Sequence, residues 1–221
     1  MDVSEAVAGR RSVRGFLDRP VDPALLRDLA VRASRAATGG NIQPWHIDIV
    51  QGAPMAELKA IMAGKLERRE REQPGYDIYP REMTDAAKAR TFGVGEQLYG
   101  HLGIPRESKA ERLQWFARNF QFFGAPAAYF CTVDRRMGPP QWADCGMYLQ
   151  NLMLLAVEAG LATCAQECWA MYPETVERFL GTPPERMLFC GVAIGWEDPA
   201  EAANRMRSER AEAGEWLTVL G

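Results

Sequence analysis

The chain is poor in the residues and patterns that mark several common functional classes. It has two histidines, His46 and His101, and no phosphate-binding P-loop. Its 26 Lys and Arg and 29 Asp and Glu give a formal net charge of -3, so no overall field favours nucleic acid or an anionic membrane surface. The spacing of Cys164 and Cys168 does not form a plausible zinc site with so few histidines. Any anion site must therefore be local, and we expect no metal.

Long hydrophobic runs are also absent. The most apolar stretch, residues 147–165, is interrupted by Gln150, Asn151 and Glu158, and residues 1–11 lack the apolar core of a signal peptide. The five cysteines are an odd number, and most lie in apolar runs where a thiol behaves as a small hydrophobic group. We therefore expect no membrane partner and a reducing, cytoplasmic location.

Two motif-like features do not match a catalytic or dinucleotide-binding pattern. Four residues lie between Gly95 and Gly100, whereas a dinucleotide-binding fingerprint has two residues between its last two glycines. No strand pattern precedes these glycines. Neither histidine stands in a context typical of a Cys-His nucleophile pair. Sparse side-chain chemistry favours an enzyme whose reaction is performed by a bound cofactor.

Hydrophobic periodicity predicts a single α+β domain over residues 1–221, without repeats or linkers. Residues 161–168 are predicted to be a short connection. The predicted helices are 4–9, 23–37, 54–71, 82–100, 142–159 and 173–180. The predicted strands are 45–50, 127–133, 187–194 and 215–220.

Two polar segments have the composition of ligand sites. Arg10, Arg11, Ser12 and Arg14 supply guanidinium and hydroxyl donors suited to a phosphate, although a solvated charged turn has the same composition. The segment Thr38-Gly39-Gly40-Asn41-Ile42-Gln43-Pro44-Trp45 combines close backbone approach with amides and an aromatic ring, which suits a flat, polar-edged heterocycle. An ordinary turn is the alternative. Together the segments suit flavin mononucleotide (FMN), with Arg205 and Arg207 as further phosphate ligands.

Residues 65–123 form a helical excursion without a strand pattern, and they are rich in aromatic residues. Aromatic residues at helical spacing occur in a core or subunit interface as well as in substrate sites, and the sequence leaves both readings open. The residues concerned are Tyr76, Tyr79, Phe92, Tyr99, Trp115, Phe116, Phe120, Phe122 and Phe123.

Four ordered motifs resemble those of the FMN-dependent nitroreductase family, and they span essentially the whole chain. Within the family, three segments resemble those of the branch that includes nitrobenzoate and other nitroaromatic reductases. They are residues 103–105, 137–140 and 163–167. The motifs are Arg10-Arg-Ser-Val-Arg14 with Gly39-Gly-Asn-Ile-Gln-Pro-Trp45, Gln150-Asn151 with Gly160-Leu-Ala-Thr-Cys-Ala-Gln166, Gly191-Val-Ala-Ile-Gly195, and Asn204-Arg-Met-Arg207.

This resemblance implies a nitroreductase-like fold with a mixed central sheet flanked by helices, in an entwined homodimer. Two FMN sites lie at the subunit interface in such a dimer, the excursion covers the active site, and residues 215–220 form an arm on the partner. The implied cofactor ligands are Arg10, Arg11, Ser12, Arg14, Arg205 and Arg207 at the phosphate and ribityl chain, Thr38, Gly39, Asn41 and Gln43 along the cofactor, and Cys164, Ala165 and Gln166 facing the flavin ring.

The implied activity is a two-electron, ping-pong hydride transfer from NADH or NADPH through FMN to a nitroaromatic or quinone-like acceptor. No side chain acts as a nucleophile in this scheme. Three alternatives remain: another reaction on the same fold, such as dehalogenation, flavin fragmentation or dehydrogenation; flavin binding without turnover; and a dimeric interaction protein without flavin.

Overall fold

A four-stranded sheet lies at the centre of the structure, a computed structural model that describes residues 1–221. The strands are β1 (His46–Gln51), β2 (Ala127–Asp134), β3 (Ala162–Gln166) and β4 (Arg186–Gly195). The α-helices are α1 (Val3–Gly9), α2 (Pro23–Ala33), α3 (Gly52–Glu67), α4 (Asp85–His101), α5 (Lys109–Ala117), α6 (Pro139–Glu158) and α7 (Pro173–Leu180). Short 3-10 helices cover Gly39–Asn41, Arg118–Gly124, Glu167–Met171, Ala202–Arg205 and Ala213–Glu215. The predicted α+β class is confirmed.

The strands are ordered β1, β2, β4, β3, and each neighbouring pair runs antiparallel. The chain leaves β1 and enters β2 at the same end of the sheet, where Gln51 pairs with Ala127, so these strands must run in opposite directions. One isolated parallel bridge joins Ser12 to Thr163, beside a hydrogen bond of 2.9 Å from the Val13 N–H to the Thr163 carbonyl. Within one chain the expected mixed sheet is therefore antiparallel apart from this bridge.

Both faces of the sheet are covered, which explains the unbroken apolar run in β2. Ala128 and Phe130 pack with α3, α5 and the 3-10 helix Arg118–Gly124 on one face. Tyr129 and Val133 pack with α2 and α6 on the other face. Because residues that alternate along a strand point to opposite faces, a strand buried on both sides is apolar at every position.

The glycines of β4 allow close packing. A Cβ atom on Gly191 would lie 2.5 Å from Cδ1 of Trp169, and one on Gly195 would lie 2.5 Å from Cδ of Pro126. Such distances leave no room for a side chain. The glycine motif at 191–195 therefore serves the core.

Two predicted segments differ from the structure. Residues 161–168, expected to be a connection, contain β3, which pairs with β4. Residues 215–220, expected to be a strand, form none, because a strand needs a neighbour for its N–H and C=O groups and nothing in the chain pairs with this segment. Its apolar side chains are exposed, from 52% at Leu217 to 93% at Leu220.

The excursion over residues 65–123 divides into a core part and an exposed part. The side chains of Trp115, Phe120 and Phe122 are buried in the face of the sheet that α3 covers, whereas Tyr79 and Phe92 are exposed. Helix α4 has no buried residue along its whole length. None of the α-helices combines the length and the hydropathy needed to span a bilayer.

Candidate functional site

Arginine side chains from the two ends of the chain converge on one cavity of about 570 Å³. Helix α1, the following segment, α4, α6 and residues 206–210 form its walls, and Ser12, Gln150 and Ser208 add polar groups. We call it the arginine cavity. Its arginines are Arg10, Arg11, Arg14, Arg207 and Arg210.

The charges of this cavity are poorly compensated by protein groups. Arg11 pairs with Glu197, yet its Nε atom is buried without a hydrogen-bond partner. The other four arginines of the cavity have no carboxylate within ion-pair distance. Guanidinium groups held close together repel one another unless an anion lies between them, and their planar donor forks match phosphate oxygens. The cavity therefore has the chemistry of a phosphate site.

Asn204 holds the two arginine segments together. Its side-chain Oδ1 accepts a hydrogen bond of 2.7 Å from the backbone N–H of Arg14, and its Nδ2 donates to the carbonyls of Gly15 and Asp198, each at 2.9 Å. Asn204 is only 6% exposed, so these bonds are shielded from water. The sequence motif contains Asn204, but no role was predicted for it.

Residues 207–210 are further held by α4 and by their own backbone. The Gln97 side chain donates to the carbonyl of Arg207 at 3.2 Å. Nη1 of Arg210 donates to the Ser208 carbonyl at 3.2 Å, the Ser208 hydroxyl at 2.8 Å and the Glu209 carbonyl at 2.9 Å. Arg210 is not among the predicted ligands because it stands alone in a polar stretch, three residues beyond the motif.

Arg205 lies outside the arginine cavity, with its side chain exposed. It ends the short 3-10 helix in which Ala203 and Asn204 face the interior, so the last residue of that turn points to solvent. The geometry of one chain therefore does not support the expected phosphate contact of Arg205.

The Thr38 loop is a preformed, exposed structure away from the arginine cavity. The carboxylate of buried Asp144 accepts from the Thr38 hydroxyl at 2.9 Å and from the Gly39 N–H at 3.1 Å. The Gln43 N–H in turn donates to the Thr38 hydroxyl at 3.0 Å. Asn41 and Gln43 adopt positive φ angles of 57° and 51°, which are uncommon for non-glycine residues, although Asn adopts them more readily than most. None of these loop residues lines the arginine cavity of its own chain.

Cys164 on β3 lies beside the arginine segment through the bridge between Ser12 and Thr163. Its side chain is 2% exposed, and burial raises the pKa of the Cys164 thiol, while the nearby charge of Arg14 and a hydrogen bond with Ser12 oppose the shift. A buried neutral thiol does not favour nucleophilic chemistry. Cys164 therefore forms part of the packed interior beside the arginine segment.

The Gln166 side chain is committed to the core. Its Nε2 donates to the Asn119 carbonyl at 2.8 Å, its Oε1 accepts from the Trp169 indole at 3.4 Å, and it is 2% exposed. Only the backbone of Gln166 is thus available to a ligand. Ala165, its neighbour, is half-buried on the outer strand of the sheet.

No other catalytic constellation is formed. Neither His46 nor His101 makes a side-chain hydrogen bond that would orient it as a base, and all five cysteines are free. No group of three or more His, Cys, Asp or Glu side chains converges as a metal site would require.

Comparisons with known proteins agree with this geometry. The family model described as "Nitroreductase family" matches residues 7–196. A crystal structure of the FMN and NADPH-dependent nitroreductase NfnB from Sphigopyxis sp. strain HMH is 48% identical, with full coverage of both chains and a TM-score of 0.96.

Curated relatives span nearly the same length. Nitrobenzene nitroreductase from Ectopseudomonas oleovorans is 31% identical over 99% of this chain and 96% of its own. A 4-nitrobenzoate reductase from Nocardioides sp. (strain LMS-CY) is 34% identical over 97% of this chain and 88% of its own. Since the family model and these relatives cover most of the sequence, the chain belongs to the nitroreductase family.

Proposed function

We propose that the protein is an FMN-dependent oxidoreductase that uses NADPH or NADH to reduce nitroaromatic or quinone-like acceptors, two electrons at a time. The observation that carries the proposal is the arginine cavity, which gathers four arginines without carboxylate partners in a member of the nitroreductase family. Relatives named nitrobenzene nitroreductase and 4-nitrobenzoate reductase support the acceptor class. The NfnB relative, described as FMN and NADPH-dependent, supports the cofactor and the donor.

The residues of the cavity fit the phosphate of FMN. Arg10, Arg14 and Arg207 lack carboxylate partners, Ser12 adds a hydroxyl, and the orphaned Nε of Arg11 lines the same space. A phosphate dianion would satisfy these donors and relieve their mutual repulsion. FMN, when bound, supplies the hydride chemistry, so the side chains are required to bind and orient and not to react.

The remaining predicted contacts belong to a site that two chains complete. Gly39, Asn41 and Gln43 are exposed and Thr38 is half-buried, and none of the four lines the arginine cavity of its own chain. Their loop, which Asp144 holds, presents amides to a neighbour. In the proposed homodimer this loop lines the cofactor of the partner subunit. Cys164 to Gln166 would form the wall of the site at β3, with Gln166 contributing backbone only.

A free sheet edge and an exposed apolar tail support the homodimer. β1 pairs only with β2, which leaves its other edge without hydrogen-bond partners, and a bare edge is a template for another strand. The tail, residues 216–220, exposes Trp216, Leu217, Val219 and Leu220. We infer that the tail of one chain lies on the partner along β1. The cytoplasmic location stays a prediction.

The cofactor and the activity are tested together with the purified protein. We expect the visible spectrum of an oxidised flavin, its bleaching by NADPH under anaerobic conditions, and its return when 4-nitrobenzoate is added. A protein that stays colourless after incubation with FMN would contradict the proposal. Bleaching by NADPH without reoxidation by any nitroaromatic would indicate one of the other reactions of this fold.

The phosphate assignment is tested at Arg14. Replacing Arg14 by Gln removes the guanidinium and keeps the backbone N–H that binds Asn204. Loss of one charge-assisted contact, about 1.5 to 3 kcal/mol, should weaken FMN binding by about ten- to a hundredfold, measured by fluorescence titration of the apoprotein. Arg178→Gln on α7, exposed and outside any ion pair, is the matched control. Equal FMN affinity in both variants would remove the assignment.

The role of the tail is tested by molar mass. Deletion of residues 216–221 should convert a dimer into a monomer in size-exclusion chromatography with light scattering, since it removes the strand that we place on β1. The double variant Leu217→Asp, Leu220→Asp should act in the same direction without shortening the chain. Val31→Asp, an equally apolar residue that is 61% exposed on α2, should leave the mass unchanged. An unchanged dimer in both tail variants would contradict this arrangement.

A further inference from the structure

A second, larger cavity of about 930 Å³ lies beside the arginine cavity, between α4 and residues 208–215. The two cavities share the lining residues Val94, Ser208 and Arg210, so they adjoin at this seam. We call the larger space the outer cavity. Its volume falls within the range of small-molecule sites, about 300–1,000 Å³, and the FMN phosphate proposed above does not use it.

The lining of the outer cavity suits a nucleoside. The ring of Tyr79 is 63% exposed and provides an aromatic face, and Thr91 and Gln97 provide polar groups beside it. Arg90 also lines the cavity, but its guanidinium is paired with Glu215 at 2.5 Å. The charge of Arg90 is therefore largely neutralised.

Arg210 differs from Arg90 because it has no carboxylate within ion-pair distance. All three of its hydrogen bonds come from Nη1, to Ser208 and to the Glu209 carbonyl, and they fix the guanidinium in place. Its Nε and Nη2 donors make no bonds within the protein. Two parallel N–H donors on a fixed guanidinium are the arrangement that recognises a phosphate.

The acidic residues of the outer cavity limit where an anion can bind. Glu209 lines the cavity without an ion-pair partner and disfavours negative charge near its carboxylate, whereas the charge of Glu215 is balanced by Arg90. At the seam, however, Arg210 also lies within the positive electrostatic field of the arginine cavity. A ligand with one phosphate group at the seam and a neutral aromatic end in the outer cavity matches this distribution.

We propose that the outer cavity binds the adenosine end of NADPH and that Arg210 selects its 2′-phosphate. The inference rests on the proposed function and deepens it by naming the preferred donor. NADH carries a neutral hydroxyl at the same position, so its binding leaves the fixed donors of Arg210 without an anion. NADPH is therefore the donor that this chain is built to prefer.

The test compares both donors in the flavin-loaded enzyme and in Arg210→Gln. The KM for NADPH should rise by about ten- to a hundredfold in the variant, and the KM for NADH should change by less than about threefold. Adenosine 2′,5′-bisphosphate should compete with NADPH in the wild-type enzyme better than 5′-AMP, and Arg210→Gln should abolish that difference. Arg178→Gln should behave as wild type throughout.

Three results would overturn the inference. One is a wild-type enzyme that uses NADH and NADPH equally well, and another is a variant in which both KM values rise together. The third is weakened FMN binding in Arg210→Gln, which would place Arg210 in the cofactor site. Binding of adenosine 2′,5′-bisphosphate, measured by calorimetry without turnover, tests the outer cavity independently of the reaction. Failure of this binding would therefore be distinguishable from failure of the proposed enzymatic activity.

Discussion

The proposed cofactor site depends on one buried amide. Asn204 binds the backbone of Arg14 and Gly15 on one side and of Asp198 on the other, and so joins segments that are far apart in the sequence. Guanidinium groups with unpaired charge would separate if their backbones were free, because they repel one another and water solvates them well. Satisfied hydrogen bonds in a buried setting resist that separation. The arginine cavity exists because the fold keeps these charges together.

The other motifs that resemble those of the family divide between packing in the core and presentation at the surface. Gly191 makes room for Trp169, and the Gln166 side chain completes the same core, so both act behind the site. The Thr38 loop has the opposite character, since Asp144 fixes its backbone while its amides face outward. A chain with its phosphate site at one place and its amide loop at another is suited to a cofactor held between two subunits. The side chains then supply position and charge, and the cofactor supplies the reaction.

Local patterns predicted most helices and the strands that lie in apolar runs, because these follow from hydrophobic periodicity. The arginine segment at residues 10–14 was singled out by its donor chemistry, and its phosphate contacts stay a prediction. β3 was missed because five residues after a turn show no periodicity of their own. The strand expected at residues 215–220 does not form in one chain, because nothing in that chain pairs with this segment. Asn204 could not be assigned from sequence, since its side-chain hydrogen bonds reach Arg14 and Gly15 across the fold. Arg210 was not singled out, because it stands alone in a polar stretch. The phosphate contact expected of Arg205 stays a prediction, since its exposed side chain does not line the arginine cavity of its own chain.

The FMN dissociation constant of Asn204→Ala tests the central claim most directly, with Tyr129→Phe as a control for stability. Tyr129 donates a buried hydrogen bond of 2.8 Å to Leu26, away from the arginine cavity, and its loss should cost about 1 kcal/mol of folding free energy. We predict that folded Asn204→Ala binds FMN at least about tenfold more weakly than wild type, while Tyr129→Phe binds it normally. Wild-type FMN affinity in Asn204→Ala would contradict the account.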